Sequence, residues 1–156
     1  MRHILFIAFL GILTIYACSS AKKTKGTEIT QGISGIIAEL KGNQMPMKGA
    51  PANEPKPVPA ATLLVYEPTN LSQVTKSDLS SILYTSINTK MVASVVSDSL
   101  GRYNVALPPG TYSLFVQQGK LFFANLFDSQ NNIQMVTVEA DKVTQFNITI
   151  NSGATY

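Results

Sequence analysis

One stretch of the chain restricts its architecture more than any other. Tyr103, Val105 and Leu107 alternate with Arg102 and Asn104, Pro108-Pro109-Gly110 follows, and Tyr112, Leu114 and Val116 then repeat the apolar spacing. A period of two marks a strand with one buried face, and a Pro-Gly connection between two such runs makes them a strand, a tight turn and a strand. The same grammar extends over residues 32–151. Ile33, Gly35 and Ile37 share a face, as do Ala61, Leu63 and Val65, then Val136 and Val138, and finally Phe146, Ile148 and Ile150. A strand is also expected through Met91 to Val96, and Leu121 to Phe127 is apolar on both faces. About seven short strands separated by Gly, Pro, Asn, Asp and Ser predict an all-β, antiparallel sandwich in one domain.

Two segments interrupt the pattern. Residues 44–60 hold Pro46, Pro51, Pro55, Pro57 and Pro59. Prolines lack the N–H that a ladder needs, so this reads as an extended surface loop of polyproline character. Glu54 to Pro59 also has the composition of a docking segment for an aromatic groove, although a short Pro-rich connection is the plainer reading. Residues 69–90 are dominated by Ser, Thr and Asn. Leu79, Ile82 and Leu83 fit a short amphipathic helix after Ser77, whereas Tyr84, Ser86 and Asn88 alternate as a strand would. A short helix or irregular insertion is the expectation, and this insertion is the loop expected to be specific to the protein's task.

The N-terminus carries a different message. After Arg2, residues 4–17 are uncharged and strongly apolar, a run of about 14 residues against the roughly 20 that a bilayer-spanning helix requires. Residues 1–17 therefore read as a signal peptide. The only cysteine, Cys18, follows Ala17 directly and precedes Ser19, Ser20, Ala21, Lys22 and Lys23. This resembles the lipobox of bacterial lipoproteins, with Ile15 and Tyr16 departing from the usual Leu and small residue in the manner of Bacteroidota. The resemblance implies cleavage before Cys18, a diacylglycerol on its thiol and an acylated amine. Residues 18–31 then form a lipidated, flexible tether that reaches roughly 45 Å when extended.

Composition narrows the chemistry of what remains. His3 is the single histidine and leaves with the leader, and Cys18 is committed to lipid. The mature chain thus has no imidazole and no thiolate, so the commonest general base, the usual zinc ligands and the Ser-His and Cys-His nucleophile pairs are missing. No disulfide is available either, which leaves packing and hydrogen bonds to stabilise the domain. The formal charge of +3 is scattered apart from Lys22, Lys23 and Lys25 beside the expected anchor. Such a cluster suits anionic headgroups better than nucleic acid, and no nucleic-acid partner is expected.

Residues 97–114, Ser-Asp-Ser-Leu-Gly-Arg-Tyr-Asn-Val-Ala-Leu-Pro-Pro-Gly-Thr-Tyr-Ser-Leu, resemble the signature of carboxypeptidase regulatory-like domains, which have a transthyretin-like, or prealbumin-like, sandwich. Gly119 matches a further family glycine, and Ile33–Ile37 with Pro59–Leu63 are similar to the family's opening strands. The resemblance spans about residues 32–150 and implies a non-catalytic module of the cell envelope. Asp98, Gly101, Pro109 and Gly110 are then turn residues: a carboxylate accepting from its own turn, a positive φ, a preset turn angle and a release into the next strand. Asp98 as a calcium ligand lacks the further carboxylates such a site needs. Asp98-Ser99-Leu100 also matches a short Bacteroidota O-glycosylation sequon of low specificity.

The expected role is a lipid-anchored binding or structural module for another envelope protein or a glycan, on the periplasmic side of the outer membrane. Neither a cofactor nor a metal is expected. Two alternatives stand beside it. A hydroxyisourate-hydrolase type of enzyme uses histidines and a Tyr-Arg-Gly-Ser terminus, against Ser152-Gly153-Ala154-Thr155-Tyr156 here. A self-crosslinking adhesin sandwich needs a buried Lys, Asn and carboxylate, for which Lys41, Asn151 and Glu67 are the nearest candidates.

Overall fold

The computed structural model describes residues 29–45, 48–49, 53–78 and 82–155. The segment expected as a signal peptide, Cys18 and most of the expected tether lie outside the described residues, as does Leu79. Twelve strands are present among the described residues: β1 (Gly32–Asn43), β2 (Lys56–Pro57), β3 (Thr62–Tyr66), β4 (Val74–Lys76), β5 (Leu83–Ile87), β6 (Met91–Val96), β7 (Arg102–Ala106), β8 (Gly110–Gln118), β9 (Leu121–Phe123), β10 (Met135–Val138), β11 (Val143–Gln145) and β12 (Ile148–Thr155). One 3-10 turn, Leu71–Gln73, precedes β4. The all-β sandwich expected from the alternation is the fold, with more strands than the seven expected, the additional ones being short.

The larger sheet runs β4-β5-β9-β8-β3-β6, with β10 on the opening half of β8. All its pairings are antiparallel. The smaller sheet is built on β1 and is mixed, which corrects the wholly antiparallel expectation. β7 and β2 flank β1 antiparallel, while β11 and β12 lie parallel to it on the other side. Parallel neighbours need a crossover between them, and here the whole larger sheet supplies it. Period-two alternation is blind to strand direction, so this feature left no mark on the local pattern.

The principal core fills the space between the sheets. Ile33 and Ile37 from β1, Leu63 and Val65 from β3, Leu114 and Val116 from β8, and Tyr103, Ile148 and Ile150 are all buried there. At about 1.5–3 kcal/mol for each large apolar side chain removed from water, this layer is the main source of stability. Strands β3 and β8 are apolar on their reverse face as well. Leu64, Tyr66 and Phe115 point away from the first core and pack with Tyr84, Ala124 and Ile133 into a second cluster. Phe115 takes Tyr66 edge-on at 5.5 Å and Tyr84 at 5.9 Å between ring centroids.

That second cluster explains the region of residues 69–90. Ile82 and Leu83 do not form the expected helix; β4 and β5 make a hairpin at the edge of the larger sheet. Tyr84-Thr85-Ser86-Ile87 is better suited to a half-buried pleated surface, and burying Tyr84 completely decides the matter. The apolar run Leu121–Phe127 ends as a strand at Phe123 and continues as a cover over the same face, with Phe127 bridging Ile133. Three buried polar residues knit the cover down. Gln134 donates Nε2–H to Leu114 O at 2.9 Å, Ser113 Oγ accepts from Thr69 N at 2.9 Å, and Thr69 and Thr89 join hydroxyls at 2.6 Å.

A proline-walled groove as candidate functional site

Within the Pro-rich segment expected as a loop, Lys56–Pro57 is a strand, so that part of the 44–60 assignment is corrected. Glu39 and Ala38 of β1 stand opposite Lys56 and Pro57. Val58 N then donates to Ile37 O at 2.9 Å. Ser97 Oγ completes the attachment, donating to Val58 O at 2.8 Å and accepting from Ala61 N at 2.9 Å. Proline supplies no donor, so the strap uses the few N–H groups between its prolines and borrows a hydroxyl from the end of β6. Ala60 takes a φ of 55° to turn the strap into β3.

Held in this way, the strap forms one wall of a groove of about 430 Å³. Buried Val116 and Ile150 line it, the more exposed Gln117 and Gln118 form a rim, and Glu39 completes the lining. A second hollow of about 320 Å³ shares Glu39, Val58 and Pro59 and carries Lys41, Glu54 and Lys56 around it. Lys41 Nζ lies 2.9 Å from Glu39 Oε2, with its own side chain 70% exposed. Gln118 Oε1 accepts from Ser152 Oγ at 3.0 Å, which steadies that rim. The surface is apolar at the prolines, amide-rich at the rim and charged in both signs at one end. Such a lining suits an extended polar ligand.

The turn residues named from the sequence are placed as follows. Asp98 Oδ1 accepts from Leu100 N and Arg102 N, both at 2.8 Å, and Asp98 N donates to Arg102 O at 2.9 Å. Gly101 has a φ of 73°, and a Cβ there would meet Ile37 O at 2.5 Å. Its carbonyl accepts from Ile37 N at 2.8 Å, so this turn locks β1 beneath the strap. Pro109 and Gly110 connect β7 to β8, and Tyr112 donates its hydroxyl to Pro108 O at 2.9 Å across that connection. Cys18 lies outside the described residues.

The three crosslinking candidates are not brought together as a buried trio. Lys41 pairs with Glu39, Asn151 Oδ1 accepts from Asn125 Nδ2 at 3.1 Å, and Glu67 sits exposed just after β3. None of the three is buried. Among the described residues no group of three His, Cys, Asp or Glu is placed to hold a metal ion. Burial pushes the Tyr84 hydroxyl up to about 12, and burial likewise raises that of Tyr103, which donates to Phe146 O. Both act as structural groups rather than as acids near neutrality.

Lys56 lies in the Glu54 to Pro59 segment that the sequence offered for docking, and Ser97 opens the turn motif, whereas Glu39, Gln117 and Gln118 were not singled out and become neighbours of the strap through pairings distant in the chain. No protein-family model matches this chain, and no curated protein matches it at a significant level.

Proposed function

We propose that this chain is a lipid-tethered, non-catalytic binding module of the bacterial envelope, presenting a β-sandwich and its proline-walled groove to another envelope protein or a glycan. The observation that carries the reading is the position of the only cysteine, at the end of an apolar leader too short to span a bilayer and at the start of a polar tether. Two or three acyl chains hold a protein stably where one does not. The scattered charge of the folded part argues against nucleic acid. The resemblance to carboxypeptidase regulatory-like domains supports the non-catalytic half, and the placement of Asp98 and Gly101 in a backbone-bonded turn is in keeping with it. The reading places the domain on the periplasmic face of the outer membrane, with Lys22, Lys23 and Lys25 beside the headgroups.

The test is the intact mass of the chain extracted from membranes. The expected product begins at Cys18 and carries a diacylglycerol thioether and an amide-linked acyl chain, and Cys18→Ala abolishes membrane retention. A product that keeps its leader, or a soluble unmodified chain, overturns the anchoring half. For the binding half, a photo-crosslinker at Gln118 in the groove is expected to capture one envelope partner that a crosslinker at Ser72, on the 3-10 turn, does not. Equal capture at both positions removes the groove from the proposal.

A further inference from the structure

The chain enters the smaller sheet at its middle rather than at an edge, and β1 is bonded along both sides. On one side residues 32–36 pair with β7, Ile37 N donates to Gly101 O at 2.8 Å, and Ala38 and Glu39 pair with the strap. On the other, Gly32 N donates to Lys142 O at 3.0 Å, β11 and then β12 run parallel to β1, and Gln44 N donates to Thr155 O at 2.8 Å. The break between β11 and β12 is bridged as well. Phe146 N donates to Ser34 O at 2.8 Å, and Ile36 N donates to the Asn147 side chain at 3.0 Å.

The residue just before β1 is clamped in turn. Gln31 donates its Nε2–H to Leu107 O at 2.8 Å and accepts at Oε1 from Asp141 N at 2.9 Å. One side-chain amide thus ties the point of entry to the β7–β8 connection on one flank and to the turn before β11 on the other. Gly32 lies so close to β7 that a Cβ there would meet Val105 O at 2.0 Å. From this clamp β1 leads to the groove, which Glu39 lines together with Ile150 of β12 and Gln118 at the end of β8. Residues 32 and 39 are roughly 23 Å apart along the strand, at about 3.3 Å per residue. The point of entry and the groove therefore occupy opposite ends of one central strand.

That placement decides how the domain responds to a pull. Tension applied before Gln31 and resisted at the groove acts along β1. The bonds of a parallel ladder are evenly spaced along the strand, so a lengthwise pull strains them sideways and all together. A pull across the ladder opens the same bonds one at a time from an end. Because β12 runs parallel to β1, Thr155 stands opposite Asn43, at the far end from Gly32, and a pull there also slides the two strands past each other. We infer that the domain has a further function as a tension-carrying link, in which β1, held on both sides and clamped at Gln31, passes a pull on the N-terminal tether to the molecule in the groove. In the cell this rests on the lipid-tether reading, since the membrane supplies the pull; the loading geometry does not depend on it.

The experiment is single-molecule pulling on the full chain made without acylation, so that the thiol of Cys18 is one handle. The second handle is Thr155→Cys or Lys142→Cys, both at exposed positions. Each pair loads the same strands. From residue 155 the β1–β12 bonds are strained together, and from residue 142 β11 and then β12 unzip from β1. Forced unfolding is governed by the unfolding rate under load, and the rupture force is expected to be at least about twofold higher from residue 155 than from residue 142. Gln31→Ala removes two hydrogen bonds at the point of entry and is expected to speed unfolding under the residue 155 load about tenfold. Equal forces from the two handles, or a higher one from residue 142, overturn the proposal, and an unchanged rate in Gln31→Ala overturns the clamp. Should Thr155→Cys fail to fold, Ser152→Cys, exposed on the same strand, gives the same comparison. An unacylated native product, read by intact mass, removes the membrane as the source of the pull and with it the function, while the difference in force remains.

Discussion

Two turns in this molecule share a sequence pattern and a hydrogen-bond set yet do different work. In Asp98-Ser99-Leu100-Gly101-Arg102 the aspartate accepts from the second and fourth residues onward, its N–H meets the carbonyl of the fourth, and the third has a positive φ. Asp128-Ser129-Gln130-Asn131-Asn132 repeats every one of these bonds, with Asn131 at a φ of 63°. The difference lies in what surrounds them. The first turn carries the chain from the larger sheet to the smaller and presses Gly101 against Ile37 O and the Pro57–Val58 strap. The second lies on the cover over the outer cluster, where it docks on Leu71 and Asn70 through Leu71 N to Asn131 O at 3.0 Å and Asn70 Nδ2 to Gln130 O at 2.8 Å. An aspartate-led turn is thus a local device, and its neighbours decide whether the left-handed position must be glycine.

The sharpest way to break this comparison is Gly101→Ala. A positive φ and a Cβ 2.5 Å from a backbone oxygen together predict a loss of about 3 kcal/mol or more, read by urea unfolding. A loss below about 1 kcal/mol means that the strap yields easily and that the first turn is no more constrained than the second. Next comes Asp98→Ala, which removes two charge-assisted bonds to backbone N–H groups and is expected to cost about 2 kcal/mol. The equivalent Asp128→Ala is expected to lower Tm by clearly less, because its turn is exposed and anchors only the cover; an equal or larger fall shows that the outer layer is integral to the folding unit.

Acid sharpens the contrast further. Bonds from the Asn132 side chain and backbone, and from Gln130 N, hold the Asp128 carboxyl below its ordinary 3.8. A folded-state value below the unfolded one contributes stability that is complete above the unfolded value and is lost as pH falls through the folded one. Wild-type Tm is therefore expected to fall more steeply than that of Asp128→Asn below about pH 4. Parallel acid limbs for the two proteins count against the assignment. The smallest effect is expected for Asn131→Gly, within about 0.5 kcal/mol, since Asn already tolerates the left-handed region at an exposed site. A large gain there reveals backbone strain in the second turn.

The inner half of the sandwich was open to reading because its rules are short-ranged. Tyr103, Val105 and Leu107, and Tyr112, Leu114 and Val116, are buried as their spacing implies, and the Pro-Gly connection lies between them. The outer half was harder. Leu64, Tyr66 and Phe115 occupy the polar phase of their strands, which announces a second buried face without saying what covers it. The cover came from a Ser- and Thr-rich stretch whose helical spacing at Ile82 and Leu83 lost to the burial of Tyr84. The groove was less legible still. Glu39, Lys56 and Gln118 are unremarkable in isolation and meet only because β1, the strap and the β8–β9 turn converge.

Gly35 shows where the line between local and distant information falls. In the sequence it is a small residue in phase with Ile33 and Ile37, a plausible inward position and no more. In the fold a Cβ there would lie 1.8 Å from Phe146 O, the same oxygen that accepts the Tyr103 hydroxyl. By themselves, the amino acids determined the strand faces, the two connections around β7 and the all-β class, because side-chain period and turn conformation act over a few residues. Strand direction in the smaller sheet and the cover on the larger one were decided only when distant segments closed on one another. Those choices depend on which backbone groups and apolar faces remain to be satisfied once the rest has packed.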